Sequence, residues 1–261
     1  MQIIYEDRDL IVINKPPGMP VHGGDSVRGE TLVDFLVARH PEIKTVGDDP
    51  SLRPGIVHRL DKDTSGVMVV ARNQKSFEVL KDLFKNRQVE KTYLAITCGS
   101  PKKREGEISF PIGRLIQNPL KRGVDIYRDT RPSENSKHRV FFRSTSGVNG
   151  QFSDGLLRTR IRGAREALTK YRVVKSGPNY SLLEVAPKTG RMHQIRVHLA
   201  AIGHPVACDK IYGGKNVCCP EGVSRQLLHA RSLSFSYSEG RKLNFEVDPP
   251  EDFDLAIKKI T

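Results

Sequence analysis

The chain has no apolar run approaching the roughly 20 residues needed to cross a bilayer. Nor does its start read as a secretory leader: the best apolar stretch, Leu10-Ile11-Val12-Ile13, is short and follows Glu6, Asp7 and Asp9. Cysteine is scarce. Cys98, Cys208, Cys218 and Cys219 are the only four, and they show no Cys-x-x-Cys and no Cys/His ligand spacing. That pattern predicts neither a disulfide framework nor a structural zinc site, and it places the protein in a reducing cytoplasm. Internal repeats and clear linkers are lacking too.

Positive charge is what the chain has in excess. Lys and Arg number 43 against 30 Asp and Glu, a net +13 with pI ≈ 9.7. Hydrophobic content of 37% and charged content of 28% are ordinary for a folded protein. At 261 residues there is material for one large domain or two small ones. The charge surplus favours a polyanionic partner, nucleic acid first, over a basic protein with no such partner. It is concentrated between Leu115 and Glu166, where eleven Lys and Arg face five Asp and Glu. Within that basic stretch, His138 to Ser144 and Leu156 to Arg162 read as strands flanking a loop. Arg158, Arg160 and Arg162 alternate and so share one face, either solvated or binding phosphate.

Short strands and amphipathic helices otherwise follow one another. Ile3 to Tyr5 and Leu10 to Asn14 form a strand pair stopped by Pro16-Pro17-Gly18, and Val67 to Ala71 is a buried strand. Thr31 to Leu36 and Gln74 to Arg87 have helical spacing, the latter with Phe77, Leu80, Leu83 and Phe84 as its stripe. Strands are expected over Thr92 to Thr97, Ala167 to Val174, Ser181 to Val185 and Leu243 to Val247. Helices are expected over Met192 to Ile202 and Phe253 to Ile260. More strands than helices, without strict alternation, predict an α+β fold: a largely antiparallel mixed β-sheet core flanked by helices and loops.

Three constellations carry chemistry. The first is His58-Arg59-Leu60-Asp61-Lys62-Asp63-Thr64-Ser65-Gly66, a polar turn between apolar segments. Charge set against a buried strand costs free energy, and such turns are where active sites are found. Asp61 can be nucleophile, base or ligand, or simply a turn residue bonding its own backbone. The second is Glu90 to Ala95, where alternation puts Tyr93 with Lys91 and Ala95; a strand tyrosine is ordinarily packing. The third is Pro187 to Leu199. Thr189 can cap a helix whose first turns expose Arg191, His193, Gln194 and Arg196, donors suited to phosphate or carboxylate.

Together these stretches resemble the RluA-type RNA pseudouridine synthases along nearly the whole chain. The resemblance rests on Ile4 to Asp7, Val12 to Pro16, His58 to Gly66, Glu90 to Tyr93, Pro187 to Gly203 and Leu228 to Leu233. It implies the pseudouridine synthase fold as a single catalytic domain, 1–261, with a basic insertion at about 115–166. The S4-like N-terminal domain of larger members is expected to be absent. It implies that Asp61 is catalytic, with Tyr93 stacking on the flipped uracil and Arg196 pairing with Asp61. Arg59 would fill the gap left in the RNA stack. His58, Arg191, His193 and Ile195 would complete the substrate-binding set. One departure stands out: after Gly203-His204-Pro205 the family usually reads Gly-Asp, and here the pair is Cys208-Asp209. That substitution puts the backbone of the turn in question.

The implied activity is isomerisation of uridine to pseudouridine in structured RNA, ribosomal RNA first and transfer RNA second. The N1–C1′ bond breaks, the uracil turns, and C5 joins C1′; no atom is gained and no electron transferred, so no cofactor and no metal are expected. A stem uridine must first be extruded, which costs a few kcal/mol. The expected partner is RNA alone, with no membrane and no obligate protein, for a cytoplasmic monomer. Two other classes compete. One is a noncatalytic RNA-binding protein of the same fold. The other is a metal-dependent nuclease using Asp61, Asp63 and the histidines, disfavoured because arginines around Asp61 repel a cation.

Overall fold

The structure, a computed structural model, describes residues 1–24, 29–116, 118, 121–125, 161–215 and 217–261. The strands begin with β1 (Gln2–Glu6), β2 (Leu10–Lys15), β3 (Ser65–Ala71), β4 (Glu90–Cys98), β5 (Glu105–Ile108) and β6 (Ile112–Leu115). They continue with β7 (Arg122–Val124), β8 (Ile161–Arg165), β9 (Thr169–Ser176), β10 (Tyr180–Pro187), β11 (Leu228–Ser236) and β12 (Lys242–Glu246). The helices are α1 (Leu32–Arg39), α2 (Gln74–Lys85), α3 (Gln194–Ala201) and α4 (Glu251–Lys258). This is the mixed, mostly antiparallel α+β architecture that the residue pattern predicts. Two compact units emerge, Met1–Tyr93 with Leu228–Glu251, and Leu94–Leu227 with Asp252–Thr261.

In the first unit the strand order is β1-β2-β3-β11, with β12 on β11. The β2/β3 and β11/β12 pairs are antiparallel and the β3/β11 pair is parallel. Leu10 to Ile13 and Val67 to Ala71 are buried without alternation, as in strands covered on both faces. Leu32 and Leu36 of α1 and Phe77 and Leu80 of α2 complete this core. Both helices start on reciprocal caps, Thr31 with Asp34 and Asn73 with Ser76, which satisfy amide donors that a helix start leaves open. β11 has no counterpart among the strands read from sequence: Leu228-His229-Ala230-Arg231 is dominated by a buried histidine rather than by β-branched residues.

In the second unit β10, β9 and β5 pair antiparallel, and a separate sheet runs β7-β6-β8. Ile96, Leu182, Leu227 and Phe253 form one apolar cluster; Ile112, Val124, Val197 and Tyr212 form another. The expected strand over Leu156 to Arg162 meets the described residues only where β8 begins. The expected strand over His138 to Ser144, and with it Arg158 and Arg160, lies outside them.

Two expectations are corrected here. All four cysteines are paired, Cys98 with Cys218 and Cys208 with Cys219, at Cα separations of 5.7 and 4.7 Å. Local spacing could not reveal this, because one bridge spans 120 residues and depends on the fold. The Cys98 amide bonds the Pro205 carbonyl, and the Cys208 amide bonds the Cys218 carbonyl, which draws the segments together. The second correction concerns α3. It is not capped by Thr189, and its first turn is not exposed. Thr189 instead donates its hydroxyl to the Gln194 side chain, His193 is the N-cap residue, and Gln194 and Arg196 are buried.

Candidate functional site

The expected site residues fall in two groups, one in each unit. In the first, the chain leaves β2 at Lys15, whose side chain is 0% exposed. Its ammonium donates to the carbonyls of Pro16, Met19 and Lys62 at 2.8–2.9 Å. The last of these belongs to the residue after Asp61, so a buried cation pins the carboxylate-bearing turn. Composition gave no sign of it; a lysine inside Asn14-Lys15-Pro16 looks like an ordinary strand end.

The Asp61 turn closes when the Thr64 amide donates to the Asp61 carbonyl at 3.1 Å. Leu60 before it and Thr64 after it are buried, which anchors both shoulders. Ser65 and Gly66 already belong to β3. Ser65 Oγ lies 3.0 Å from His229 Nδ1, and His229 Nε2 lies 3.1 Å from the Val247 carbonyl. A carbonyl only accepts, so Nε2 carries a proton, and in the neutral ring Nδ1 then accepts from the serine. Gly66 sits at φ +121, where a Cβ would lie 2.2 Å from the Ala230 carbonyl oxygen. Only glycine lets β3 approach β11 this closely. The Thr-Ser-Gly end of the motif therefore locks the turn to a neighbouring strand.

The residues around Asp61 divide by role. His58 stacks on Phe84 at 4.5 Å, and its Nε2 accepts the Val69 amide at 3.1 Å. Burial, and secondarily the Lys91 charge, lower its imidazole to about 3, so it is neutral at physiological pH. Arg59 points outward, donating to His22 Nε2 at 3.0 Å, while His22 Nδ1 bonds the Gly23 carbonyl. Tyr93 packs against the first unit's core. Burial, and then the Asp61 carboxylate, raise its phenol above the ordinary value, which keeps it protonated.

In the second unit Arg196 is 3% exposed and Asp209 is 0% exposed. Arg196 Nε meets Oδ2 at 2.7 Å and Nη2 meets Oδ1 at 2.8 Å. Asp209 Oδ1 also accepts the Ile211 and Tyr212 amides. The Tyr212 ring lies 5.2 Å from the guanidinium carbon, and its hydroxyl is 2.7 Å from His193 Nδ1. That hydroxyl also accepts the Arg122 amide at 3.0 Å. His193 has φ 58, a left-handed backbone in a residue other than glycine. Arg191 donates from Nε to the Glu166 carbonyl, and Ile195 is buried in packing. Behind them, Gln194 Nε2 donates to Thr169 Oγ1, which lies 2.9 Å from His198 Nδ1. His198 Nε2 meets the Phe110 carbonyl at 2.9 Å, and burial lowers this ring to about 4.

The family's usual glycine before Asp209 now has a physical reason. Cys208 holds φ 60, a region where glycine meets no steric penalty and other residues are strained by about 1–3 kcal/mol. The turn survives the substitution, with the Cys208–Cys219 bridge closing it. Asp209 and Tyr212 were not among the expected site residues. Their place in the stretch following Gly203-His204-Pro205 was the only signal.

The Asp61 turn and Tyr93 thus lie in the first unit, and the Arg196–Asp209 pair lies in the second. The chain belongs to the RNA pseudouridylate synthase family, whose model matches residues 9–201. Members are isomerases, and this protein is an RNA pseudouridine synthase by that membership. It is 35% identical over 261 residues to an uncharacterized RNA pseudouridine synthase of Synechocystis sp., covering 98% of this chain and 68% of that one. It is 33% identical over 266 residues to ribosomal large subunit pseudouridine synthase D of Zymomonas mobilis, covering 100% and 73%. Among solved structures, human RNA pseudouridylate synthase domain containing 4 superposes with a TM-score of 0.69 at 29% identity. That match covers 99% of this chain and 92% of the other.

Proposed function

We propose that the protein isomerises a uridine of ribosomal RNA, with Asp61 as the catalytic carboxylate. The observation that carries this reading is the Asp61 turn itself, pinned by Lys15 and β3 and close enough to Tyr93 to raise its phenol. A rigid mount of this kind suits a group that must meet one sugar carbon. Arg59, exposed and bonded through its side chain to His22 among the described residues, suits insertion into the RNA stack. Tyr93 suits stacking on the extruded uracil, because a neutral phenol offers its ring face without a charge. Arg196, fixed by Asp209 and Tyr212, is the proposed partner of Asp61. Arg191 and His193 complete the set on the RNA side, while Ile195, buried in packing, and neutral His58, stacked on Phe84, support it from within.

In the reaction the N1–C1′ bond breaks, C5 bonds to C1′, the C5 proton is lost and N1 ends protonated. Asp61 either attacks C1′ or takes a ribose proton, and both routes need it ionised. Ribosomal RNA is preferred over transfer RNA because a relative is named for the large ribosomal subunit. Both units act as one catalytic domain, working as a monomer without metal or obligate protein partner. Among the described residues no helix is long and apolar enough to cross a membrane. The test is pseudouridine mapping of total RNA from cells with and without the gene, and of that RNA treated with purified protein in excess chelator. A site in large-subunit RNA that vanishes and is restored supports the reading. Restoration only in transfer RNA moves the substrate, and restoration nowhere sinks the proposal.

A further inference from the structure

The three-stranded sheet of the second unit carries an arrangement that folding alone disfavours. In the β7-β6-β8 register, Arg114 lies opposite Arg122 on one side and opposite Arg162 on the other. Directly opposed residues share a face with Cβ atoms about 5 Å apart, and like charges so placed destabilise a sheet. No residue of these strands is acidic. Arg114 and Arg162 are exposed, and neither has a hydrogen-bond or ion-pair partner among the described residues. Burial and the Arg114 charge together lower the Arg122 guanidinium below its ordinary value, as expected for cations held side by side.

The row is joined to the RNA-facing residues already described. The Arg122 amide donates to the Tyr212 hydroxyl that bonds His193, and Arg122 Nη2 lies 2.9 Å from Met192 Sδ. Three guanidiniums therefore run outward from the turn before α3, spanning two strand spacings of about 4.8 Å each. We propose that the row Arg122, Arg114 and Arg162 is a phosphate-contact surface that grips the backbone of the RNA substrate. This rests on the proposed RNA-modifying function and assigns it a second binding element, apart from the Asp61 turn. Guanidiniums suit phosphate because their fork donates two bonds in one plane, and a polyanion removes the repulsion that the sheet otherwise bears.

The test uses the full chain and a fluorescein-labelled RNA stem-loop with uridines in its loop, with affinity measured across a range of KCl. Each phosphate contact contributes about 0.7–0.9 to the slope of log K against log salt. The double variant Arg114→Gln/Arg162→Gln should make that slope shallower by about 1.4–1.8 and weaken binding in low salt by tenfold or more. Arg114→Lys/Arg162→Lys should keep most of the slope. Circular dichroism melts matching the parent protein show that the exposed substitutions leave the fold intact. An unchanged slope in the Gln variant overturns the proposal, as does an unchanged RNA slope with lost binding of a polyglutamate peptide, which would mark an acidic-protein surface. Wild-type protein that forms no pseudouridine yet shows the slope change would sink the catalytic reading alone.

Discussion

Arg196 and Asp209 form a buried two-pronged ion pair, with N–O distances of 2.7 and 2.8 Å. The carboxylate also takes two backbone amides, and the guanidinium lies against Tyr212, so neither charge is free to turn away. Breaking such a pair from one side strands the other charge, at a cost of about 3–5 kcal/mol. Asp209→Asn should lower the melting temperature and the single-turnover rate together. Tyr212→Phe keeps the ring and loses only the hydroxyl, so it should cost about 1–3 kcal/mol and disturb His193. Thermal melts paired with single-turnover assays separate the two. A fully stable, fully active Asp209→Asn protein would mean that the cage does not position Arg196.

Gly66 makes a sharper prediction about packing. A methyl group there would meet the Ala230 backbone at 2.2 Å and at a positive φ, so Gly66→Ala should cost at least about 3 kcal/mol. Gly23 has open space around it and no such φ. Gly23→Ala should stay within about 0.5 kcal/mol. Chemical denaturation of both variants gives the comparison.

How much of this was legible beforehand depended on range in sequence. β1, β2, α1, α2 and the Asp61 turn announce themselves through local pattern: unbroken apolar runs, a 3.6-residue stripe and a polar turn between apolar segments. The features missed are long-range or stereochemical. Nothing near Cys98 names Cys218 as its partner, and nothing near Arg196 names Asp209, 13 residues away. Lys15 looks like a solvated strand end until its ammonium is seen among three carbonyls. Thr189 has the composition of a cap, but Gln194 claims its hydroxyl, and the helix starts later at a left-handed His193.

Acid should destabilise the protein through two imidazoles, the half-buried His58 and the buried His198. His58 is lowered to about 3 and His198 to about 4, both below the ordinary 6.5. The unfolded chain then binds protons that the folded one does not. Their contribution is complete above about pH 6.5 and is lost as pH falls toward the folded values. His58→Gln should therefore flatten the fall in stability between pH 7 and 4. An equal slope in parent and variant would show that His58 takes up a proton in the folded state.

The disulfides can be counted directly. Protein purified without reductant, then denatured, should react with a thiol reagent at none of its four cysteines. Reduction should lower stability by about 2–4 kcal/mol per bridge. Four reactive thiols in the unreduced sample would contradict the pairing.

Asp61 is proposed to break the glycosidic bond of a uridine. The most direct measurement is single-turnover pseudouridine formation by Asp61→Asn on RNA from cells lacking the gene, beside RNA affinity under the same conditions. Product formation should disappear, falling by at least about three orders of magnitude or some 4 kcal/mol in the barrier, while affinity stays within a few-fold of the parent. An Asp61→Asn protein that converts uridine at a rate near the parent's would contradict it.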